Sequence, residues 1–157
     1  MRAQTGSSRG PANAKGTHVI KNASRTRRIL VIDDEQPVAD LIRDVLRRHG
    51  YMVDVHSGGE AALEVASGGD YGLVISDFAI PGLNGLEFAR QFGALRPEVA
   101  VLIVSAFLDP ETARELETQQ NVRGLIRKPF DIFELVDRVD ACLGIEQIPG
   151  SRAEMDA

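Results

Sequence analysis

Cysteine and long apolar runs are scarce in this sequence of 157 residues. The single cysteine, Cys142, has no partner with which to form a disulfide inside the chain. No apolar run approaches the roughly 20 residues that a helix needs to cross a bilayer, so we predict no membrane insertion. These absences favour a soluble, cytoplasmic protein, and a hydrophobic content of 43% suffices for the core of one domain.

Acidic residues are missing from the first 28 positions, which carry seven of the 18 Lys and Arg side chains. The rest of the chain holds 11 basic and all 23 acidic side chains, so a basic arm precedes an acidic body. Residues 1–27, rich in Gly, Ser, Ala, Thr and Asn, are predicted to be a disordered arm, and residues 144–157 a disordered tail. A targeting sequence, a partner tether or a nucleic-acid-binding arm are alternatives for the arm, of which the nucleic-acid role is not favoured.

Two common signatures of ligand sites are also absent. The glycine pairs in SGGE and SGGD are not followed by the Gly-Lys-Ser/Thr of a phosphate-binding loop, so we interpret them as turns. His18, His49 and His56 do not have the spacing of metal ligands.

Between the arm and the tail, strand-like and helix-like segments alternate five times. The strand-like segments are the apolar runs at 28–33, 51–57, 72–77, 99–106 and 123–130. Each precedes a stretch of helical periodicity, which in the first case comprises Val38, Leu41, Ile42, Val45 and Leu46. This repetition predicts an α/β domain whose parallel sheet is covered by helices on both faces. The expected architecture is a flavodoxin-like doubly wound fold of five strands, in the order 2-1-3-4-5, and five helices.

Charged and polar residues follow or end four of the predicted strands. Asp33 and Asp34 end the first strand, Asp77 the third, Ser105 the fourth and Lys128 the fifth. The carboxyl ends of parallel strands share one edge of the sheet, where ligands bind in such folds. Carboxylates placed together repel unless a cation joins them, and Mg²⁺ prefers oxygen ligands, with Mn²⁺ as an alternative. Because a hydroxyl and an ammonium group can pair phosphoryl oxygens, the constellation predicts phosphoryl transfer onto a carboxylate.

Four segments, in chain order LVIDDE, LVISDFAIPGLNG, VLIVSA and IRKPF, resemble the signature segments of the response-regulator receiver domain of two-component signalling. The resemblance covers residues 28–143. It implies that Asp77 is the phosphoacceptor and that the phosphoryl group comes from a sensor histidine kinase or a histidine phosphotransfer protein. A signal would then pass to a downstream protein target that the sequence does not identify.

The resemblance also implies a metal site. Asp34 would ligate Mg²⁺ directly, and Asp33 would do so largely through water. Asp77 and the main-chain carbonyl of Ala79 would complete the set of protein ligands.

The phosphoryl group would be held by Ser105 and Lys128. By the same resemblance the Lys128–Pro129 peptide bond is expected to be cis. The small side chain of Ala106 would leave room for phosphodonors to approach.

Three positions depart from the pattern of the family. Leu125 stands where an aromatic ring usually turns inward on phosphorylation, so we hypothesise that the segment 105–110 and the helix after it carry the signal instead. Ala79 and Phe107 occupy positions that tune attack by water on the acyl phosphate. Alanine cannot orient a water molecule and phenylalanine can shield the phosphoryl group, so we predict a long-lived phospho-aspartate.

Three hypotheses about the function compete. Few residues follow the last helix, which favours a single-domain receiver that signals through its own surface, although a fragment of a larger regulator or hybrid kinase fits as well. A second reading is a receiver-like binding module that works without phosphorylation. A third, a Mg²⁺-dependent phosphatase of the haloacid dehalogenase type, is less favoured because its nucleophile ends the first strand in an Asp-x-Asp arrangement, whereas Asp77 follows the third strand here.

Overall fold

The structure is a computed structural model that describes residues 27–144. The predicted arm and tail lie outside the described residues, apart from Arg27 and Gly144. Within these residues, five strands alternate with five helices. The strands are β1 (Arg28–Ile32), β2 (Met52–His56), β3 (Leu73–Asp77), β4 (Ala100–Ser105) and β5 (Val122–Arg127). The helices are α1 (Gln36–Arg48), α2 (Glu60–Gly68), α3 (Gly85–Leu95), α4 (Pro110–Thr118) and α5 (Ile132–Leu143).

The five strands form one parallel sheet in the order β2-β1-β3-β4-β5. This is the predicted order, and the flavodoxin-like fold class is confirmed. β2 lies at an edge of the sheet, as the alternation of its polar and apolar residues predicted. β4, whose apolar run predicted a central place, is an interior strand between β3 and β5, and all six of its residues are buried.

Each face of the sheet carries its own hydrophobic core. Along β1, Ile29 and Val31 point into one core, and Leu30 and Ile32 point into the other, because successive side chains of a strand alternate between faces. We name them the first core, around Ile29 and Val31, and the second core, around Leu30 and Ile32. The apolar sides of α1 and α5 pack in the first core, and those of α2, α3 and α4 pack in the second. The interior strands of this sheet are therefore covered on both faces, and ligands can reach them at their ends.

Side-chain caps begin three of the helices. The Asn84 carboxamide accepts a hydrogen bond from the backbone N–H of Glu87 at the start of α3, as the spacing of the two residues predicted. Asp109 caps α4 in the same way, with Pro110 in the first turn. Asp131 caps α5 by accepting from the backbone N–H of Phe133. These helices start shortly after their strands end, which keeps the loops at this edge of the sheet short.

Candidate phosphoacceptor site

The predicted site residues lie at the carboxyl-terminal edge of the sheet. Asp77 is the last residue of β3 and Ser105 is the last residue of β4. Asp33 directly follows β1, and Lys128 directly follows β5. Since all the strands run in the same direction, the order of the sheet brings these ends side by side.

The ammonium group of Lys128 joins three carboxylates. Its Nζ lies 3.0 Å from Oδ2 of Asp33, 3.1 Å from Oε1 of Glu35 and 3.3 Å from Oδ2 of Asp77. Asp33 and Asp77 are buried, with 2% and 6% of their surface exposed, while the Glu35 side chain is largely exposed. One cation therefore compensates two buried negative charges that would otherwise repel each other.

The pKa values of Asp33 and Lys128 follow from burial and from their hydrogen bonds. Burial raises the pKa of Asp33 above its ordinary value, and the nearby charge of Asp77 adds to that effect. Hydrogen bonds from the Glu35 backbone N–H and from Lys128 oppose the rise in part. For Lys128, burial lowers the pKa, but hydrogen bonds to Asp33 and Glu35 outweigh it and raise the pKa to about 12. The lysine is therefore protonated at neutral pH and supplies a full positive charge.

The same carboxylates form a donor set suited to a hard divalent ion. Asp33, Glu35 and Asp77 each offer an oxygen atom, and these atoms lie within 4.8 Å of one another. Oxygen-only donors with negative charge fit Mg²⁺ or Mn²⁺. The residues present are thus compatible with a bound Mg²⁺ ion.

The third carboxylate of this cluster differs from the sequence prediction. Glu35, which the sequence analysis missed, belongs to the cluster, whereas the exposed Asp34 does not. Consecutive side chains leave the backbone in different directions, so two adjacent acids do not automatically reach the same point. The role of Asp34 as a direct ligand stays a prediction. No pattern in the sequence indicated Glu35. Its contact with Lys128 depends on side-chain geometry, which the order of the strands does not predict.

The β4–α4 turn holds the hydroxyl of Ser105. Its Oγ donates a hydrogen bond to the Phe107 carbonyl at 2.9 Å and lies 3.3 Å from the Phe107 backbone nitrogen, which donates to it. Ala106 and Phe107 are exposed, and the Phe107 residue is 80% exposed. In this state the hydroxyl is committed to its own turn.

The remaining predicted positions surround the cluster. The backbone N–H of Ala79 donates to Oδ1 of Asp77 at 3.3 Å, and Ala79 itself is exposed. Leu125 is half-buried on β5 and packs against the second core. The Lys128–Pro129 peptide bond is cis.

A comparison with protein families identifies the domain. The family described as the response regulator receiver domain matches residues 29–140. The chain belongs to this family. Its receiver is similar to the response regulator ArlR of Staphylococcus epidermidis, with 36% identity over 122 residues, which are 73% of this chain and 52% of that protein. It is also similar to the alkaline phosphatase synthesis transcriptional regulatory protein SphR of Synechococcus elongatus, with 35% identity over 138 residues, 81% of this chain and 52% of that protein.

Solved structures agree with the fold of this receiver. The response regulator TrrA of Thermotoga maritima, solved in complex with Mg²⁺ and BeF, is 30% identical, with a TM-score of 0.66 over 74% of this chain and 99% of that one. A CheY-like receiver domain protein of Methanospirillum hungatei is 22% identical and shares the fold, with a TM-score of 0.72 over 76% of this chain and 94% of that one.

Two further observations concern the length of the chain and the character of its helices. The chain spans about half the length of the curated relatives it matches. The similarity therefore does not assign the activities of those whole proteins to this receiver. Among residues 27–144, no helix combines the length and the apolar character that crossing a membrane requires.

Proposed function

We propose that this receiver accepts a phosphoryl group on Asp77 from the phosphohistidine of a sensor histidine kinase or a histidine phosphotransfer protein. One observation carries the proposal: the Lys128 ammonium lies between the buried carboxylates of Asp33 and Asp77. A cation beside a buried, strand-terminal carboxylate is the arrangement that a negatively charged phosphoryl group needs in order to approach an acid.

The proposed reaction is a displacement at phosphorus. An oxygen of Asp77 forms a bond to phosphorus as the P–N bond of phosphohistidine breaks. The bonding electron pair stays on the imidazole nitrogen, which takes up a proton to give neutral histidine. Lys128 pairs the phosphoryl oxygens, which lowers the barrier because its ammonium group already lies beside Asp77. Ser105 donates to a phosphoryl oxygen once its hydroxyl has turned away from the Phe107 carbonyl.

A divalent ion is part of the proposal. When bound, Mg²⁺ neutralises charge on the phosphoryl oxygens, which is its usual contribution to phosphoryl transfer. Asp33 and Asp77 would hold it, with Glu35 as a third carboxylate and Asp34 and the Ala79 carbonyl as the ligands predicted from the sequence. The complex of the related TrrA with Mg²⁺ and BeF supports the presence of a Mg²⁺ site in this receiver.

The proposal extends to the organisation of the chain. The receiver occupies residues 28–143, between a basic arm at 1–27 and a tail at 144–157. It signals through its own surface to a downstream protein, and the cytoplasm is the proposed location. Membership of the response-regulator family supports the proposed location.

Intact-protein mass spectrometry tests the proposed function. The full chain is incubated with a small phosphodonor, with and without Mg²⁺, beside the Asp77→Asn and Asp44→Asn variants. We expect one Mg²⁺-dependent phosphoryl adduct on the wild type and none on Asp77→Asn. Asp44→Asn makes the same chemical change on the exposed side of α1 and keeps the adduct.

The opposite results discriminate between the competing functions. An adduct that survives Asp77→Asn rejects Asp77 as the acceptor. Absence of any adduct, both with the small donor and with a phosphorylated histidine phosphotransfer protein, favours the binding module that works without phosphorylation. Continuous release of inorganic phosphate from a small phosphorylated substrate would instead indicate a phosphatase.

A further inference from the structure

A cavity of about 260 Å³ lies between α3 and α4, at the amino-terminal edge of the sheet and opposite the proposed phosphoryl site. We call it the α3–α4 cavity. Its lining consists of Ala89, Arg90, Gly93, Pro97, Thr118, Gln119, Gln120 and Asn121. Because a water molecule takes up about 30 Å³ in the liquid, the cavity has room for a small organic molecule.

A buried hydrogen-bond acceptor without a donor belongs to the wall of this cavity. Asn121 is 6% exposed, and its Nδ2 donates to the carbonyl of Ala89 on α3 at 3.0 Å. A carbonyl only accepts, so the nitrogen of the carboxamide faces Ala89 and the oxygen, Oδ1, is left for another partner. No group of residues 27–144 donates a hydrogen bond to that oxygen. A buried acceptor left unpaired costs free energy, so a donor from outside the chain is stabilised there.

Gly93 keeps this oxygen accessible. A Cβ at position 93 would lie 3.1 Å from Nδ2 and 3.3 Å from Oδ1 of Asn121. A side chain here would therefore cover the carboxamide. Glycine weakens a helix relative to alanine, and in α3 it leaves the wall of the cavity open.

The charge around the cavity favours a cation. Two helices turn their carboxyl-terminal ends toward it, and the helix dipole is negative at that end. Their last turns, both in the described part of the chain, contain no basic side chain to offset this charge. The one charged side chain of the lining, Arg90, pairs with Glu115 at 3.2 Å and with Glu87 at 3.8 Å. These three side chains together carry a net negative charge.

The lining suits an organic cation better than a metal ion. Its side-chain oxygens belong to neutral groups, the carboxamides of Gln119, Gln120 and Asn121 and the hydroxyl of Thr118. No carboxylate, the ligand that hard divalent ions prefer, is among the lining residues. An N–H group with positive charge makes a stronger hydrogen bond to such an oxygen than a neutral donor does.

We propose that the α3–α4 cavity binds a small organic cation with N–H donors, an alkylguanidinium or alkylammonium ion, whose N–H group donates to Oδ1 of Asn121. This site is separate from the phosphoacceptor edge. The inference therefore does not depend on phosphoryl transfer to Asp77.

NMR spectra of the full chain, titrated with methylguanidinium chloride at constant ionic strength, test the proposal. We expect saturable shifts of the Asn121 side-chain amide and of the Gly93 backbone amide. Tetramethylammonium chloride is the control, because this ion has the same charge and no N–H donor. It leaves both signals in place.

Two substitutions test the wall and the charge of the cavity separately. Gly93→Ala covers the Asn121 oxygen, so we expect it to weaken methylguanidinium binding by about tenfold, as for the loss of one hydrogen bond. Gly68→Ala makes the same change in α2, where no atom lies within 4 Å of the added Cβ, and leaves binding unchanged. Glu115→Gln keeps the wall and removes one negative charge, which weakens binding about twofold to threefold. Glu64→Gln, exposed on α2, is its control.

The opposite results reject the site. Equal shifts with both ions would show a general effect of charge, and no shift at Gly93 and Asn121 would show that the cavity holds water only. Shifts confined to Asp77 and Lys128 would place the bound ion at the acidic edge instead. Undiminished binding in Gly93→Ala rejects the role of the Asn121 oxygen. If that variant does not fold, undiminished binding in Glu115→Gln rejects the proposal by itself.

Discussion

Lys128 is the residue on which the charge balance of the site depends. Replacing it by methionine leaves the buried carboxylates of Asp33 and Asp77 facing each other without a cation. We expect Lys128→Met to lower the free energy of unfolding by about 2 kcal/mol in the absence of divalent ions, since breaking a partly buried ion pair strands its partners. Urea unfolding followed by circular dichroism measures the change, and Lys128→Arg, which keeps the charge, is the control.

The same variant tests whether Lys128 and Mg²⁺ compete for the same carboxylates. Mg²⁺ should raise the urea midpoint of Lys128→Met more than that of the wild type, because the ion no longer competes with an ammonium group among the same oxygens. An equal or smaller gain in the variant would show that Lys128 and the ion do not share these carboxylates.

Ala79 and Phe107 are the residues that we predict to influence the lifetime of a phosphorylated Asp77. Both are exposed beside Asp77 and Ser105, and neither can hydrogen-bond a water through its side chain. We expect Ala79→Asn and Phe107→Glu to shorten the lifetime of phospho-Asp77 severalfold, because each introduces a group that orients a water for attack. Decay of the phosphoryl adduct, followed by mass spectrometry, gives the rates. Unchanged decay in both variants would refute the predicted protection from water.

For single residues, the sequence predicted positions at the ends of strands better than it predicted contacts between side chains. Asp77 and Lys128 could be placed at one edge because parallel strands share a direction, and direction follows from the pattern. The bond of Glu35 to Lys128 and the bonds of the Ser105 hydroxyl to Phe107 depend on side-chain torsions and on a turn of two residues. Hydrophobic periodicity carries no information about either.

Two glycines next to α2 test what backbone geometry demands of this element. Gly58 has φ +115°, and a Cβ there would overlap Cγ2 of the buried Ile80. Gly68 is at the end of α2, has no atom within 4 Å of such a Cβ, and lies in helical conformation. We expect Gly58→Ala to destabilise the fold by more than about 1 kcal/mol and Gly68→Ala to stabilise it by up to about 1 kcal/mol. Urea unfolding of both variants decides; equal effects would contradict the argument.

The ends of the elements show where sequence patterns stop being informative. The apolar run predicted the fifth strand over 123–130, but β5 spans Val122–Arg127. Pro129 lacks a backbone N–H and cannot extend a ladder, so the strand ends before it. Caps were more predictable. The spacing of Asn84 and Glu87 and the proline after Asp109 each indicate a helix start, and both caps accept a bond from a backbone N–H three residues on.

At the scale of the whole molecule, the fold was predictable because its two cores are written into alternate residues. Fully buried strands such as β1, with every residue from Ile29 to Ile32 at most 1% exposed, need cover on both faces. Helices alternating with such strands provide that cover, so topology follows from the order of the elements. The contacts between distant segments were not predictable: buried Asp140 on α5 accepts a hydrogen bond from Tyr51 and contacts His49, across 89 and 91 positions of the chain.

The two tyrosines of the chain make the stability of the whole molecule sensitive to alkaline pH. Burial, together with a hydrogen bond to Asp54, raises the pKa of Tyr71 to about 12. Burial and the bond to Asp140 raise the pKa of Tyr51 as well. In the unfolded chain both phenols ionise near pH 10, so between about pH 10 and 12 the unfolded state binds fewer protons than the folded state. The contribution of the two phenols to stability is therefore fully present below about pH 10 and is lost as the pH rises through their folded pKa values.

Ultraviolet absorbance of phenolate measures this directly, since the sequence contains only Tyr51 and Tyr71. We expect almost no phenolate in the native chain at about pH 10.5 and roughly complete ionisation above pH 11.5 in the chain unfolded by urea. Tyr71→Phe leaves Tyr51 as the reporter and removes the bond to Asp54, so it makes the alkaline loss of stability shallower while Tyr51 still resists ionisation. A native chain whose tyrosines both titrate near pH 10 would show that neither phenol is held by its carboxylate partner.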